Sequence, residues 1–142
     1  MSVNLDKQLT ENFWLREFIL SDFYTEKQQR KVINSVDTNI LRNIHEVAEN
    51  LQVLRSAINA RIDVNIGFRP VWYELEKGRS GKSQHTKAKA ADIKSPFKTS
   101  RELYDIVEEL ITECKMKQGG LGYYNTFIHY DIFFDGANVR RW

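Results

Sequence analysis

The chain has 142 residues, 42% hydrophobic and 28% charged, with 21 Lys plus Arg against 19 Asp plus Glu. A chain of that length buries roughly two thirds of its unfolded surface, which suits a single domain over 1–142 with one core and one cleft and excludes a second catalytic module. The net charge of +2 excludes a strong global field, and the lone cysteine, Cys114, excludes an internal disulfide.

The opening MSVNLDKQLTENFW lacks the basic start and apolar run of a signal peptide. No stretch approaches the length of a membrane span, so cytoplasmic synthesis of a soluble protein is expected. Residues 1–25 mix Phe13, Trp14, Phe18, Phe23 and Tyr24 with charges, and are expected to form short helical turns docked on the domain. Asp37 caps a predicted helix running to about Ala60, whose apolar residues from Ile40 to Ile58 recur at three- and four-residue steps. Ile62, Val64, Ile66 and Phe68 alternate as a strand that Pro70 ends. Residues 71–84, with Gly78 and Gly81, read as a loop, and Ala90 to Ile93 as a short strand.

Thr99 and Glu102 form a capping box for a second long helix, with Leu103, Ile106, Val107, Leu110, Ile111 and Cys114 on its apolar face. Cys114 is thus expected to be a core thiol. Gly119 and Gly120 break the chain, Tyr123 to Ile132 reads as a strand, and a last strand is expected near Val139 to Trp142. The pattern is α+β, with helices packed on one side of a small antiparallel sheet.

Two of the three histidines, His85 and His129, stand near aspartates in the segments that core packing explains least. His85 and Asp92 are too far apart for one helical turn but can converge across a turn leading into a strand. His129 and Asp131 leave the same face of a strand, together with Phe127. Burying such groups side by side is costly unless they are paired or bind a metal. Two imidazoles and a carboxylate suit zinc, and three protein ligands leave a fourth position open, as catalytic zinc sites require. A neighbouring carboxylate would serve as proton acceptor for an activated water. On spacing alone, a solvated His85 and a hydrogen-bonded core His129 remain an equal alternative.

The segments GFRP, SQHTKAKAADI and GGLGYYNTFIHYD, followed by a C-terminal RW, occur in order along the chain. Together with the opening LTENFWLREF, they resemble peptidase family M15, the zinc D-Ala-D-Ala carboxypeptidases and endolysins, especially its short members. The resemblance implies the hedgehog/DD-peptidase fold, a zinc ion held by His85, Asp92 and His129, and hydrolysis of peptidoglycan peptides. Arg69 matches the arginine of the family's G-[YF]-R-[ST]-P segment, where it would bind a substrate carboxylate or an oxyanion. Ser83 and Gln84 match the positions just before the first ligand and are expected to orient it or to bind substrate. Tyr123 and Tyr124 are expected at the cleft edge, in contact with substrate or in the core.

Two positions depart from the family pattern. Thr126 stands where many members carry a carboxylate as general base, which makes Asp131 the candidate base; the alternative is a structural carboxylate holding Arg140 or Arg141. Phe133 and Phe134 follow where a polar residue is expected, making one cleft wall more apolar. His45 reads as a partly exposed helix residue. The basic run from Lys77 to Arg101 reads as a solvated loop without the interleaved aromatics of a base-stacking surface, so no nucleic-acid partner is expected. A monomer acting on peptidoglycan peptides is expected, reaching the wall by release or by another export route. The remaining readings are a non-catalytic zinc-containing module that binds wall peptides and, resting only on the loop charges, a nucleic-acid-binding domain.

Overall fold

The computed structural model describes residues 3–142. Its long helix α3 (Thr38–Ile58) begins where Asp37 accepts a hydrogen bond from the Ile40 N–H at 2.8 Å. Ile44, Val47, Ala48, Leu51 and Leu54 are buried along one stripe of it. Each such aliphatic side chain larger than Ala contributes about 1.5–3 kcal/mol when fully buried. Asn59, in the left-handed region at φ 47°, ends the helix. Two shorter helices, α1 (Arg16–Ile19) and α2 (Glu26–Asn34), precede it. In the N-terminal segment Phe13, Phe18 and Tyr24 reach the core while Trp14 and Phe23 stay exposed, and the Gln52 side chain bonds Thr10 and Asn12.

Four strands, β1 (Asp63–Ile66), β2 (Ala90–Lys94), β3 (Leu121–Tyr123) and β4 (Ile128–Asp131), form one sheet in the order β1-β2-β4-β3. Every neighbouring pair is antiparallel. Helix α5 (Ser100–Thr112) opens on the capping box of Thr99 and Glu102 and packs against α3, β3 and β4. The fold is therefore α+β, helices on one side of a small antiparallel sheet. In the central pair, Asp92 stands opposite His129. Both side chains leave the face away from α5, and the apolar Ile93, Ile128 and Tyr130 fill the core.

Four local expectations are corrected. Residues 71–84 are not all loop: Pro70 starts a short helix, α4 (Val71–Glu76), which suits a residue lacking an N–H. Cys114 is exposed and lies past the end of α5. It adopts φ 59°, while Cys114 N–H bonds Ile111 O and Lys115 N–H bonds Leu110 O, so the helix closes in a left-handed turn. Met116 fills the buried position instead. The span from Tyr123 to Ile132 is a hairpin, because Tyr124 N–H bonds Phe127 O and their rings stack 4.4 Å apart. The C-terminal residues 139–142 run beside β3 with a single bridge, Leu121 to Arg141, rather than as a strand.

Candidate metal centre

Three elements deliver three side chains to one point. A short 3-10 turn (Gln84–Lys87) carries His85, β2 carries Asp92 and β4 carries His129. Ser83 starts the turn by accepting the His85 N–H at 3.1 Å, and the chain leaves it through Ala88 at φ 58°. The Arg69 N–H then bonds His85 O, tying the turn to the end of β1.

His85 Nε2 and His129 Nδ1 each lie 3.2 Å from Asp92 Oδ1. One ligand atom from each of the three residues falls within 4.8 Å of the others. Atoms about 2.0–2.1 Å from a tetrahedral ion stand roughly 3.3–3.4 Å apart, so the spacing suits such an ion.

The opposite ring nitrogens are fixed from behind. His85 Nδ1 donates to Gly67 O at 2.8 Å, and His129 Nε2 donates to Asp131 Oδ2 at 2.8 Å. A carbonyl and a carboxylate only accept, so both neutral rings present a bare lone pair toward Asp92. Three acceptors converging without a hydrogen between them repel one another unless a cation or a proton joins them. The donor set thus fits a metal ion. Burial alone would raise the Asp92 pKa, but His129 and His85, which donate to Asp92 once doubly protonated, hold it well below the usual carboxylate range. Burial would likewise lower the His129 pKa, yet Asp131 and Asp92 raise it.

Asp131 stands behind His129 rather than beside the ligand atoms. Its carboxylate is fully buried and accepts from Gly120 N–H at 2.8 Å, Phe133 N–H at 3.1 Å and the Arg140 guanidinium, besides His129. Burial would raise its pKa, and the bonds from His129, Arg140 and Gly120 bring it down to about 2. Oδ1 takes three of these donors and Oδ2 is turned to the His129 ring, away from the atoms that face Asp92. The expected base is therefore placed as a support for His129, held by Arg140. Thr126 is exposed in the β3–β4 turn.

The cleft in front of the three ligands measures about 640 Å³. Arg69, Ser83 and Gln84 line it, with the buried Gln84 Oε1 lacking a partner. Tyr124, Phe127 and Trp142 give it an aromatic wall; the Trp142 ring sits 5.0 Å from the His129 ring, and its indole N–H bonds Tyr124 Oη at 3.0 Å. Tyr123 is elsewhere. It pairs with Ile128 on the helix side of the sheet, edge-on to Tyr104 of α5, so it does not line the cleft. Its neighbour Gly122 faces the cleft side, where a β-carbon would collide with Trp142. Two parts of the site escaped the sequence: Trp142, visible only as the end of a C-terminal RW, and Glu74, which accepts from Arg69 Nε at 2.7 Å.

The match of the peptidase M15 family model to residues 16–131 agrees with this geometry, and the chain belongs to that family. No curated protein and no solved structure gives a significant match.

Proposed function

We propose that the protein is a zinc-dependent peptidase that hydrolyses stem or cross-link peptides of bacterial peptidoglycan. The observation that carries this reading is the convergence of two imidazole lone pairs and one carboxylate at the floor of an open cleft, in a chain of a peptidase family. Two nitrogens and one oxygen favour zinc over magnesium or calcium, which prefer all-oxygen sites. A zinc ion held there would supply an activated water and polarise the scissile carbonyl.

The chain's own residues then have separable tasks. Gly67 O and Asp131 hold the two rings in the tautomers that face the metal. Arg69 binds a substrate carboxylate or the negative charge that develops on the scissile carbonyl. Ser83 shapes the turn that presents His85, and Gln84 offers an amide to the substrate backbone. The aromatic wall of Tyr124, Phe127 and Trp142 packs against the peptide and sheds water from it.

Mass spectrometry of purified muropeptides after incubation with zinc-loaded protein tests the reading and identifies the bond. Fragments from a single peptide bond are expected; intact muropeptides alongside full zinc occupancy would overturn it. A second reading, a zinc-containing module that binds wall peptides without cutting them, is favoured by one observation. The acids lining the cleft are Asp92 and Asp131, and Asp131 is turned to the far side of the His129 ring and held there by Arg140. Binding of intact muropeptides without cleavage would select it.

A further inference from the structure

Helix α4 buries Tyr73 as an amphipathic helix should, but it also buries an acid and leaves two aliphatic residues outside. Leu75 is 57% exposed and Val71 46%, while the acid between them, Glu74, is only 1% exposed. A buried carboxylate is costly unless it is paired. Its side-chain partner is Arg69, whose Nε donates to Glu74 Oε2 at 2.7 Å with only 15% of the Arg69 side chain exposed. Pro70 sets this geometry: the Glu74 N–H bonds Pro70 O, so the first turn of the helix swings Glu74 back over Arg69.

The pairing uses one edge of the guanidinium. No partner for the Arg69 terminal nitrogens is found among the described residues, and Arg69 lines the cleft. A guanidinium offers five N–H donors in a rigid plane, so anchoring Nε–H leaves the four terminal donors in a fixed plane for a planar anion. Arg69 is also tied by its own N–H to His85 O, and the Gly67 carbonyl two residues earlier orients the His85 ring. The anion receptor and the first metal ligand therefore share one stretch of backbone.

We propose that Glu74 is a positioning residue: it holds Arg69 by Nε so that the terminal nitrogens receive a carboxylate of the bound peptide. The proposal rests on the reading of the cleft as a peptide site and adds that its substrate carries a carboxylate near the cleaved bond. Zinc-loaded protein is titrated by NMR with N-acetyl-D-alanine and with N-acetyl-D-alaninamide, which differ in that charge alone. The carboxylate is expected to bind at least about tenfold more tightly than the amide, the size of one charge-assisted hydrogen bond. Glu74→Gln should remove most of that preference with zinc content unchanged. In an Arg69→Ala background the same change should have no further effect, since Glu74 acts through Arg69.

A wild-type protein without the preference, a Glu74→Gln variant that keeps it, or a further loss in the Arg69→Ala background would each overturn the proposal. Should Glu74→Gln fail to fold, Glu74→Asp, whose shorter chain retracts the carboxylate, replaces it and is expected to lose the preference at least about threefold. Charge preference without hydrolysis of muropeptides would leave the Glu74–Arg69 device standing and remove only the peptidase reading.

Discussion

Asp131 Oδ2 accepts from His129 Nε2 at 2.8 Å, on the side of the ring opposite the nitrogen that faces Asp92. The two residues are two apart on β4, so the strand itself places a carboxylate behind the imidazole proposed as a metal ligand. Arg140 reaches back from the C-terminal segment to hold that carboxylate and also bonds Phe133 O at 2.9 Å.

This arrangement separates two roles for Asp131. A general base would lose activity in Asp131→Asn with its metal intact. A ring-orienting carboxylate should instead lose about 10–100-fold in zinc affinity, with activity largely recovered at excess zinc. Zinc titration and muropeptide cleavage on the same Asp131→Asn sample distinguish the two, and we expect the second result. Arg140→Gln should act in the same direction more weakly, because His129 and Gly120 N–H still hold Asp131.

Removing a ligand should be more severe. His85→Ala and His129→Ala are each expected to abolish stoichiometric zinc binding in protein that remains folded by circular dichroism. In the wild type, zinc at about 100 times its Kd should stabilise the fold by about 2.7 kcal/mol, and a chelator should reverse the gain. Metal analysis and thermal melts with and without chelator check both. A folded wild-type protein that takes up no zinc would sink the enzyme reading.

The capping box and the long helix were legible in the sequence because each depends on local spacing, whereas spacing alone left His85 and His129 open and the set of His85, Asp92 and His129 came from the family resemblance. His129 and Asp131 announce a shared strand face, and Thr99 and Glu102 announce a helix start. The role of Asp131 was not legible, since it depends on Arg140 and Gly120 arriving from other segments. Glu74 was hidden for a related reason. Val71 to Glu76 is too short to show a repeating apolar stripe, so its six residues read as loop, and beside the buried Tyr73 its other inward residue is an acid whose partner lies before the helix. Cys114 misled because the heptad-like spacing continues one turn beyond the point where the backbone closes the helix. Tyr123 misled because proximity in sequence to the cleft says nothing of which face a strand residue takes after an intervening turn.

Arg69→Ala should weaken turnover far more than folding. Losing one anchored guanidinium that stabilises charge on substrate or transition state is worth a few kcal/mol, or about 10²–10³ in rate. Removing Arg69 also leaves Glu74 buried without its cation, so some loss of melting temperature is expected as well. Arg69→Ala combined with Glu74→Gln should recover part of that stability while leaving turnover low. Wild-type rates in Arg69→Ala would return Arg69 to the surface residues.

The last prediction concerns Gly120, where backbone and site meet. Its N–H bonds Asp131 Oδ1, and a β-carbon there would overlap Asp131 Oδ2 and crowd the Arg140 guanidinium, 3.0 Å from Nη2. Those atoms are not the loose ends of surface side chains, because Asp131 is fixed by His129 and Arg140 is fixed by Asp131 and Phe133 O. Gly120→Ala must therefore displace the carboxylate that orients His129, and it should lower both stability and zinc affinity. Gly136 provides the contrast: it has φ 89° with nothing within 4 Å of an added β-carbon. Gly136→Ala should cost about 1–2 kcal/mol of backbone strain and leave zinc affinity unchanged. Melting temperature and zinc affinity measured on both variants decide the matter. Equal zinc affinities in Gly120→Ala and the wild type would mean that Asp131 does not set the His129 ring.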